Sequence, residues 1–327
     1  MAHKLYALLR NAYHTMNWGV RTVKAYASLR RHFGAQYASL WCRQDAAARF
    51  RSPDLQSMTA EKNRYIKDFL ASELQPVLDR CRSAACTGGT ASQPRKIWVF
   101  WWSGFDSAPP IVRAAVRSIR TDAEVVLLDR SNYRQYVQIP EDICKKHDDG
   151  IIGHAHFSDI IRLSLLARHG GLWVDSTVFF SRPIPRQVLD REFFTCKMAE
   201  NDPLIPSHYL WAGWILGGEP TFPLFGFAAD ALIHYWRNHD LVIDYLLMDY
   251  IFDLAYEQLP DVRRGIDALP PCCPDRHALM DRINAPYDPA FFDRDTWFYK
   301  LSYRYGAPKE KTSDGRPTFY GYLTSEE

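Results

Sequence analysis

Asp159, Arg162 and Asp175 are charged residues set in apolar sequence, where a charge needs a ligand or a partner to be tolerated. Residues 158–177 run Ser-Asp-Ile-Ile-Arg-Leu-Ser-Leu-Leu-Ala-Arg-His-Gly-Gly-Leu-Trp-Val-Asp-Ser-Thr. The pattern reads as a helix over 158–168 with Ser158 as N-cap, a break at Gly170 and Gly171, and a buried strand over 172–175. Ile160, Ile161, Leu163, Leu165, Leu166 and Ala167 surround the helix, so burial on all sides is expected. Asp159 and Arg162 are three residues apart and share one side of it. Asp175 closes the Leu-Trp-Val run, at the carboxyl end of a strand, where open α/β sheets bind their ligands. Each residue also has a plain structural reading. The pair is then an intrahelical salt bridge near a helix N-terminus, and Asp175 a strand-end carboxylate accepting backbone N–H groups.

The flanking elements are those of a nucleotide-binding sheet. Residues 96–102 are apolar on both pleat faces, with Ile97, Val99 and Trp101 opposite Trp98, Phe100 and Trp102, as a central parallel strand requires. Pro109 and Pro110 open a helix through Ile111, Ala114, Ala115 and Ile119, and a strand over 125–128 ends at Asp129. This is one βαβ unit, and the helix and strand of 158–175 make a second crossover.

The order Ser-Asp-x-x-Arg, then Gly-Gly-x-aromatic-x-Asp, resembles the glycosyltransferases with a DXD sugar-binding motif. They include bacterial capsular polysaccharide synthesis proteins, initiating mannosyltransferases of the yeast type and, more distantly, large clostridial glucosylating toxins. The resemblance is close to the capsular group and covers about Lys96 to Arg304. Its further blocks are Lys-Ile-Trp-Val-Phe-Trp-Trp-Ser-Gly at 96–104, Ala-Pro-Pro at 108–110, Leu-Leu-Asp at 127–129, Val-Gln-Ile-Pro at 137–140 and Tyr-Lys-Leu-Ser-Tyr-Arg at 299–304.

That resemblance implies an α/β fold of GT-A type with an open nucleotide-binding sheet. It also implies a hexosyltransferase that moves a sugar, with retention, from a nucleotide sugar to a capsular or lipopolysaccharide-type glycan, oligosaccharide or lipid-linked. A non-catalytic nucleotide- or glycan-binding module on the same fold is the alternative. By the same resemblance Asp159 and Arg162 hold donor hydroxyls and phosphate, with Gly170 and Gly171 in the donor segment, and Asp175 is the first carboxylate of the motif. Trp101 stacks on the nucleobase, or Trp102 if the register slips by one, and Lys300 neutralises the diphosphate. Thr177 stands where the motif's last carboxylate is usual, a substitution common in the capsular group. Mn²⁺ or Mg²⁺ is therefore expected to be held by Asp175 and Thr177 less tightly than by two carboxylates. Asp244 and Asp249, five apart on an expected helix, are acceptor-side or catalytic candidates, or else a surface pair. Trp211, Trp214, Tyr235 and Trp236 are either an acceptor platform or core.

Composition bounds the rest. At 47% hydrophobic over 327 residues the chain can bury one large core and a smaller appendage. Over residues 1–51, nine basic residues against Asp45 give a charge of +8, although the whole chain carries only +2. That segment reads as helical, with Leu5, Leu8, Leu9, Ala12 and Met16 at helical spacing. It is either a helical cover or a surface-binding helix on the cytoplasmic face of an anionic membrane. Residues 1–87 are thus expected to be a basic helical extension, 88–95 a linker and 96–327 the catalytic domain. Seven cysteines without paired Cys-x-x-Cys spacing read as reduced structural thiols of a cytoplasmic protein. Phosphate-loop, dinucleotide and zinc-protease motifs are absent, and no nucleic-acid partner is expected. His154, His156 and His169 fall at opposite ends of the key helix, which favours loop or core roles over one metal cluster.

Overall fold

The computed structural model describes residues 2–83, 95–304, 306 and 308–325, with side chains from residue 18 onward. Three helices come first: α1 (Ala2–Phe50), broken at Gly34, α2 (Leu55–Glu73) and α3 (Gln75–Ser83). Then follow β1 (Lys96–Phe100), α4 (Pro110–Arg117), β2 (Glu124–Leu128), α5 (Glu141–Asp148), α6 (His154–His169) and β3 (Gly171–Val174). The chain continues through β4 (Val178–Phe180), α7 (Arg186–Leu189), β5 (Phe193–Thr195), β6 (Ile215–Gly218), α8 (Pro223–Asn238) and α9 (Leu247–Gln258). It closes with α10 (Pro260–Asp267), α11 (Ala278–Asp281), β7 (Phe298–Lys300) and α12 (Phe319–Thr324).

Five strands form a mixed sheet in the order β2-β1-β3-β6-β5. β1 runs parallel to β2 and β3, while β6 is antiparallel to both β3 and β5. β1 is apolar on both faces because both faces are covered: Ile97 and Val99 meet one core layer, Trp98 and Phe100 the other. The Trp98 indole, with no exposed surface, donates from Nε1 to the carbonyl of Gly170 at 2.9 Å, which satisfies its one polar group. A second, two-stranded sheet pairs β4 with β7 and sets Val178 opposite Lys300.

The expected elements of 96–128 are present, with β1 ending at Phe100, so that Trp101 and Trp102 stand beyond its carboxyl end. The N-terminus of α6 differs from expectation: the helix begins four residues before Ser158, with Gly153 at its N-cap. Ser158 is therefore inside the helix. Gly170 and Gly171 also have a different role from the donor contact expected of them. They sit at the start of β3, the end away from Asp175, with φ of 63° and 90°. A Cβ on Gly171 would lie 2.3 Å from the Lys96 carbonyl oxygen, and one on Gly170 2.6 Å from that of Gly218. The double glycine turns the chain from α6 into a strand pressed against its neighbours, and it does so without lining the cleft.

The N-terminal helices share the main core. Leu29, Phe33, Tyr37, Ile66, Leu70 and Leu74 belong to the same buried cluster as Trp98, Trp173 and the inner faces of α6, α8 and α9. Arg21, Lys24, Arg30 and Arg31 remain exposed. The side chains of Leu5, Leu8, Leu9, Ala12 and Met16 lie outside the described residues, as does most of the expected linker. Among the described residues no helix is long and apolar enough to cross a membrane. Cys42, Cys81, Cys144, Cys196, Cys272 and Cys273 are free thiols.

Candidate active site

A cleft of about 760 Å³ opens beyond the carboxyl ends of β1 and β3, where this topology leaves room for a ligand. Phe100, Trp101, Trp102 and Ser103 form one wall, and the N-terminal part of α6 contributes His154, His156, Ser158, Asp159 and Arg162. Asp175, Ser176 and Thr177 come from the turn after β3, Trp214 from the segment before β6, Tyr245 and Leu246 from the loop that leads into α9, and Met248 and Asp249 from its first turn. Lys300 to Arg304 close the remaining side.

Asp175 is the hub. Its Oδ1 accepts from Trp173 Nε1 at 2.9 Å and Arg162 Nη2 at 3.1 Å, and its Oδ2 accepts from Lys300 Nζ at 2.7 Å. The register of β4 with β7 and the bond from the Leu301 N–H to the Thr177 carbonyl at 2.8 Å bring Lys300 to it. Every bond recorded to the Asp175 carboxylate comes from a side chain, so it is no backbone-capping carboxylate. Burial alone would raise its pKa, but Lys300 and Arg162 outweigh burial and hold the carboxyl below its ordinary value.

Arg162 is the second centre. Only 7% exposed, it spans Asp159 at 3.4 Å and Asp175 at 3.1 Å, donates to the Gly213 carbonyl and lies 4.9 Å over the Trp173 ring. Gly213 is needed there: a Cβ would fall 2.2 Å from Met248 Cε and 3.0 Å from Arg162 Nη1. The guanidinium is thus fixed from four directions before any ligand arrives.

Two carboxyls in the cleft are pushed the other way. Burial raises Asp159 to about 7, against the attraction of Arg162, with the Asp175 and Asp249 charges adding to the rise. Burial likewise raises Asp249 to about 6, although Trp211 Nε1 donates to it at 2.9 Å and Arg162 also opposes the rise. A folded-state pKa above the unfolded one means that the native protein holds the proton longer. The ionisation penalty is absent below about pH 4 and grows until pH passes the native value near 7. Asp159→Asn should therefore gain stability relative to the natural protein between about pH 5 and about pH 8, by a few kcal/mol at most, at roughly 1.4 kcal/mol per pKa unit. Urea midpoints at the two pH values test this, and a difference independent of pH would reject a raised Asp159.

The expected metal ligands are spoken for. Lys300 Nζ lies 2.7 Å from Asp175 Oδ2 and 2.8 Å from Thr177 Oγ1, so an ammonium already sits between the two oxygens. Among the described residues no group of three or more His, Cys, Asp or Glu side chains is placed to hold a metal. One carboxylate and one hydroxyl sharing a lysine is a poor donor set for Mg²⁺ or Mn²⁺, which need several oxygen ligands. It is a good set for fixing a cation beside a phosphate.

Trp101, Trp102, Asp159, Arg162, Asp175, Thr177, Lys300 and Asp249 all face this cleft. Asp244 does not. It lies in the loop before α9, not on a helix with Asp249, and is held by Lys62 of α2 at 2.8 Å while it accepts from the Leu246 N–H at 3.0 Å. That Asx turn stops the helical pattern from reaching back past Leu246. Of the four aromatics expected on the acceptor side only Trp214 lines the cleft; Tyr235 and Trp236 are core, and Trp211 is buried behind Asp249. Tyr245, Leu246 and Met248 were not singled out from the sequence, since their only signal was adjacency to Asp244 and Asp249, and Tyr303 entered only as part of the 299–304 block, with no role of its own. The α9 side is braced by the N-terminal helices. Besides Lys62–Asp244, the Tyr37 hydroxyl donates to the Ile243 carbonyl, the Tyr250 hydroxyl to Asn63 Oδ1 at 2.7 Å, and Lys67 pairs with Asp253 at 2.8 Å.

The chain is 33% identical over 102 residues to an O-glycosyltransferase, braB, of Annulohypoxylon truncatum, covering 28% of this chain and 24% of that protein. It is 25% identical over 190 residues to an O-glycosyltransferase, PaGT, of Phomopsis amygdali, covering 51% and 45%. The chain thus spans less than half the length of these fungal relatives. No solved structure matches. The family model described as capsular polysaccharide synthesis protein matches residues 49–323, taking in α2, α3, the sheet and every wall of the cleft, and the chain belongs to that family.

Proposed function

We propose that the protein is a glycosyltransferase of GT-A type that moves a hexosyl group, with retention, from a nucleotide diphosphate to a hydroxyl of a cell-surface glycan acceptor. The observation that carries this reading is the Asp175 hub, which fixes the cations of Arg162 and Lys300 in an aromatic-walled cleft. Cleaving a sugar–phosphate bond loads negative charge onto the leaving diphosphate, and a preorganised ammonium stabilises that charge without reorganising. In this reading Trp101 or Trp102 stacks on the nucleobase, Lys300 meets the diphosphate and Asp159 with Arg162 holds the sugar. Asp249 and Trp214 face the acceptor. No other carboxylate lines the described cleft besides Asp159, Asp175 and Asp249, and Asp175 is committed to its cations. This supports a same-face displacement in which the leaving phosphate assists the acceptor. The names of the two fungal relatives support transfer to oxygen.

A panel of nucleotide sugars tests the proposal, read by thermal shift and by release of nucleoside diphosphate, with Mn²⁺ and with excess chelator. At least one nucleotide sugar should raise the melting temperature and be turned over, and turnover should survive chelator because Lys300 occupies the cation position. No response to any nucleotide sugar would reject the reading. An anionic membrane surface contacting residues 1–51 belongs to the same proposal, each basic residue near it contributing about 1 kcal/mol. Flotation with anionic liposomes should be lost at high salt and on changing the exposed Arg21, Lys24, Arg30 and Arg31 to glutamate, which spares the core positions of the segment; no binding at low salt would reject it.

A further inference from the structure

Three Lys and Arg side chains line the cleft: Arg162, Lys300 and Arg304. Two of them are paired inside the protein. Arg162 lies between Asp159 and Asp175, and Lys300 shares Asp175, so the floor of the cleft sets two cations against the carboxyls of Asp159, Asp175 and Asp249. A diphosphate entering there meets little net positive charge. Arg304 differs. It is exposed, and among the described residues no carboxylate pairs with it. Its Nε donates to the Tyr303 hydroxyl at 3.1 Å and its guanidinium lies 5.2 Å from the centroid of that ring, which leaves Nη1 and Nη2 open. Tyr303 in turn packs edge-to-face on Trp101, with centroids 5.2 Å apart. Arg304, Tyr303 and Trp101 thus form one run along the cleft wall. Its backbone is held in place: Ser302 Oγ accepts from the Arg304 N–H at 3.1 Å, and the Leu301 bond to Thr177 ties the segment to the turn that carries Asp175.

We infer that Arg304 captures the diphosphate of the nucleotide, closing its guanidinium fork on phosphate oxygens beside a base stacked on Trp101. The inference rests on the proposed donor site and adds a binding residue to it. A guanidinium with both terminal nitrogens open presents two parallel N–H donors to a phosphate, a geometry that an ammonium does not offer. Lys300, fixed by Asp175 and Thr177, is placed instead for the charge that develops on the leaving group. Arg304 then supplies affinity before the sugar–phosphate bond breaks, and Lys300 with Asp175 acts on its cleavage. Because Arg304 is exposed, its attraction for phosphate is screened by salt, whereas the buried pairs around Arg162 are screened much less.

Isothermal titration of the full chain with uridine, guanosine, cytidine and adenosine diphosphates identifies the nucleotide that binds tightest. For that nucleotide Arg304→Gln should weaken binding on the order of tenfold or more, since a hydrogen-bonded charge partner of the phosphate is lost. Arg304→Lys keeps the charge without the fork and should recover part of the loss. Raising ionic strength from about 0.01 M to about 0.15 M, which shortens the Debye length from about 30 Å to about 8 Å, should weaken binding to the natural protein and to the lysine variant and change the glutamine variant much less. With the nucleotide sugar, the loss in Arg304→Gln should appear in KM more than in kcat. Affinity unchanged in Arg304→Gln would overturn the inference while leaving the donor site standing. So would a loss equal in the glutamine and lysine variants and indifferent to salt, which would make Arg304 a brace for Tyr303 and Trp101. Failure of all four diphosphates to bind the natural protein would overturn both.

Discussion

Asp175→Asn should lower turnover at saturating donor by on the order of a hundredfold or more while a folded protein remains. The substitution keeps volume and removes charge. Asp175 accepts three side-chain bonds, from Trp173, Arg162 and Lys300, and an amide can supply only one oxygen to them. Its NH₂ would face an ammonium or a guanidinium, so one cation turns away and the diphosphate loses a prepositioned partner. Lys300 can turn toward water, its side chain being 22% exposed, which limits the stability cost to about 1–3 kcal/mol. Turnover by nucleotide release and melting temperature, measured together, separate the two effects. Near-normal turnover with a lowered melting temperature would make Asp175 structural only.

The placement of Asp175 at a strand end was legible because it closes the apolar Leu-Trp-Val run, and β1, α4 and β2 were legible from local period and proline position. Lys300 was legible only by resemblance. What brings it to Asp175 is the pairing of β4 with β7, more than a hundred residues apart, and no local pattern encodes it. The same holds for the brace of the N-terminal helices. Lys62–Asp244 and Asn63–Tyr250 join residues 182 and 187 positions apart, so Asp244 read as a cleft residue when it is the anchor of the loop that carries one wall. Aromatic residues misled for a related reason. Trp211, Trp214, Tyr235 and Trp236 have equal stacking capacity in sequence, and only tertiary burial separates Trp214 in the cleft from the other three.

Gly170 and Gly171 show how one motif serves two ends. The resemblance placed them with the donor, but their positive φ values and the close backbone of Lys96 and Gly218 account for both without a ligand. They fix where β3 starts, and a strand of four residues then fixes where Asp175 stands. Cleft geometry is thus set in part by residues that do not line it.

Arg162→Met should be the most damaging single change in the cleft for stability and donor binding together. Methionine fills much of the volume beside Met248 and Trp173 but leaves Asp159 and Asp175 without the guanidinium that lies between them. Removing one member of a buried charge cluster typically costs about 3–5 kcal/mol, because the remaining charges stay desolvated and unpaired. Asp159 has an escape, since its raised pKa lets it take up a proton; Asp175 keeps Lys300. Adding Asp159→Asn to Arg162→Met should therefore cost much less than the sum of the two single changes, with a coupling of roughly 1–3 kcal/mol. A cycle of four proteins, followed by urea unfolding and by binding of the preferred nucleoside diphosphate and nucleotide sugar, measures that coupling. If Asp159 and Arg162 hold the sugar as a unit, coupling appears in nucleotide-sugar affinity and is absent from that of the bare diphosphate. Additive losses in both ligands would mean that the two residues keep the helix in place independently and that the sugar is held elsewhere.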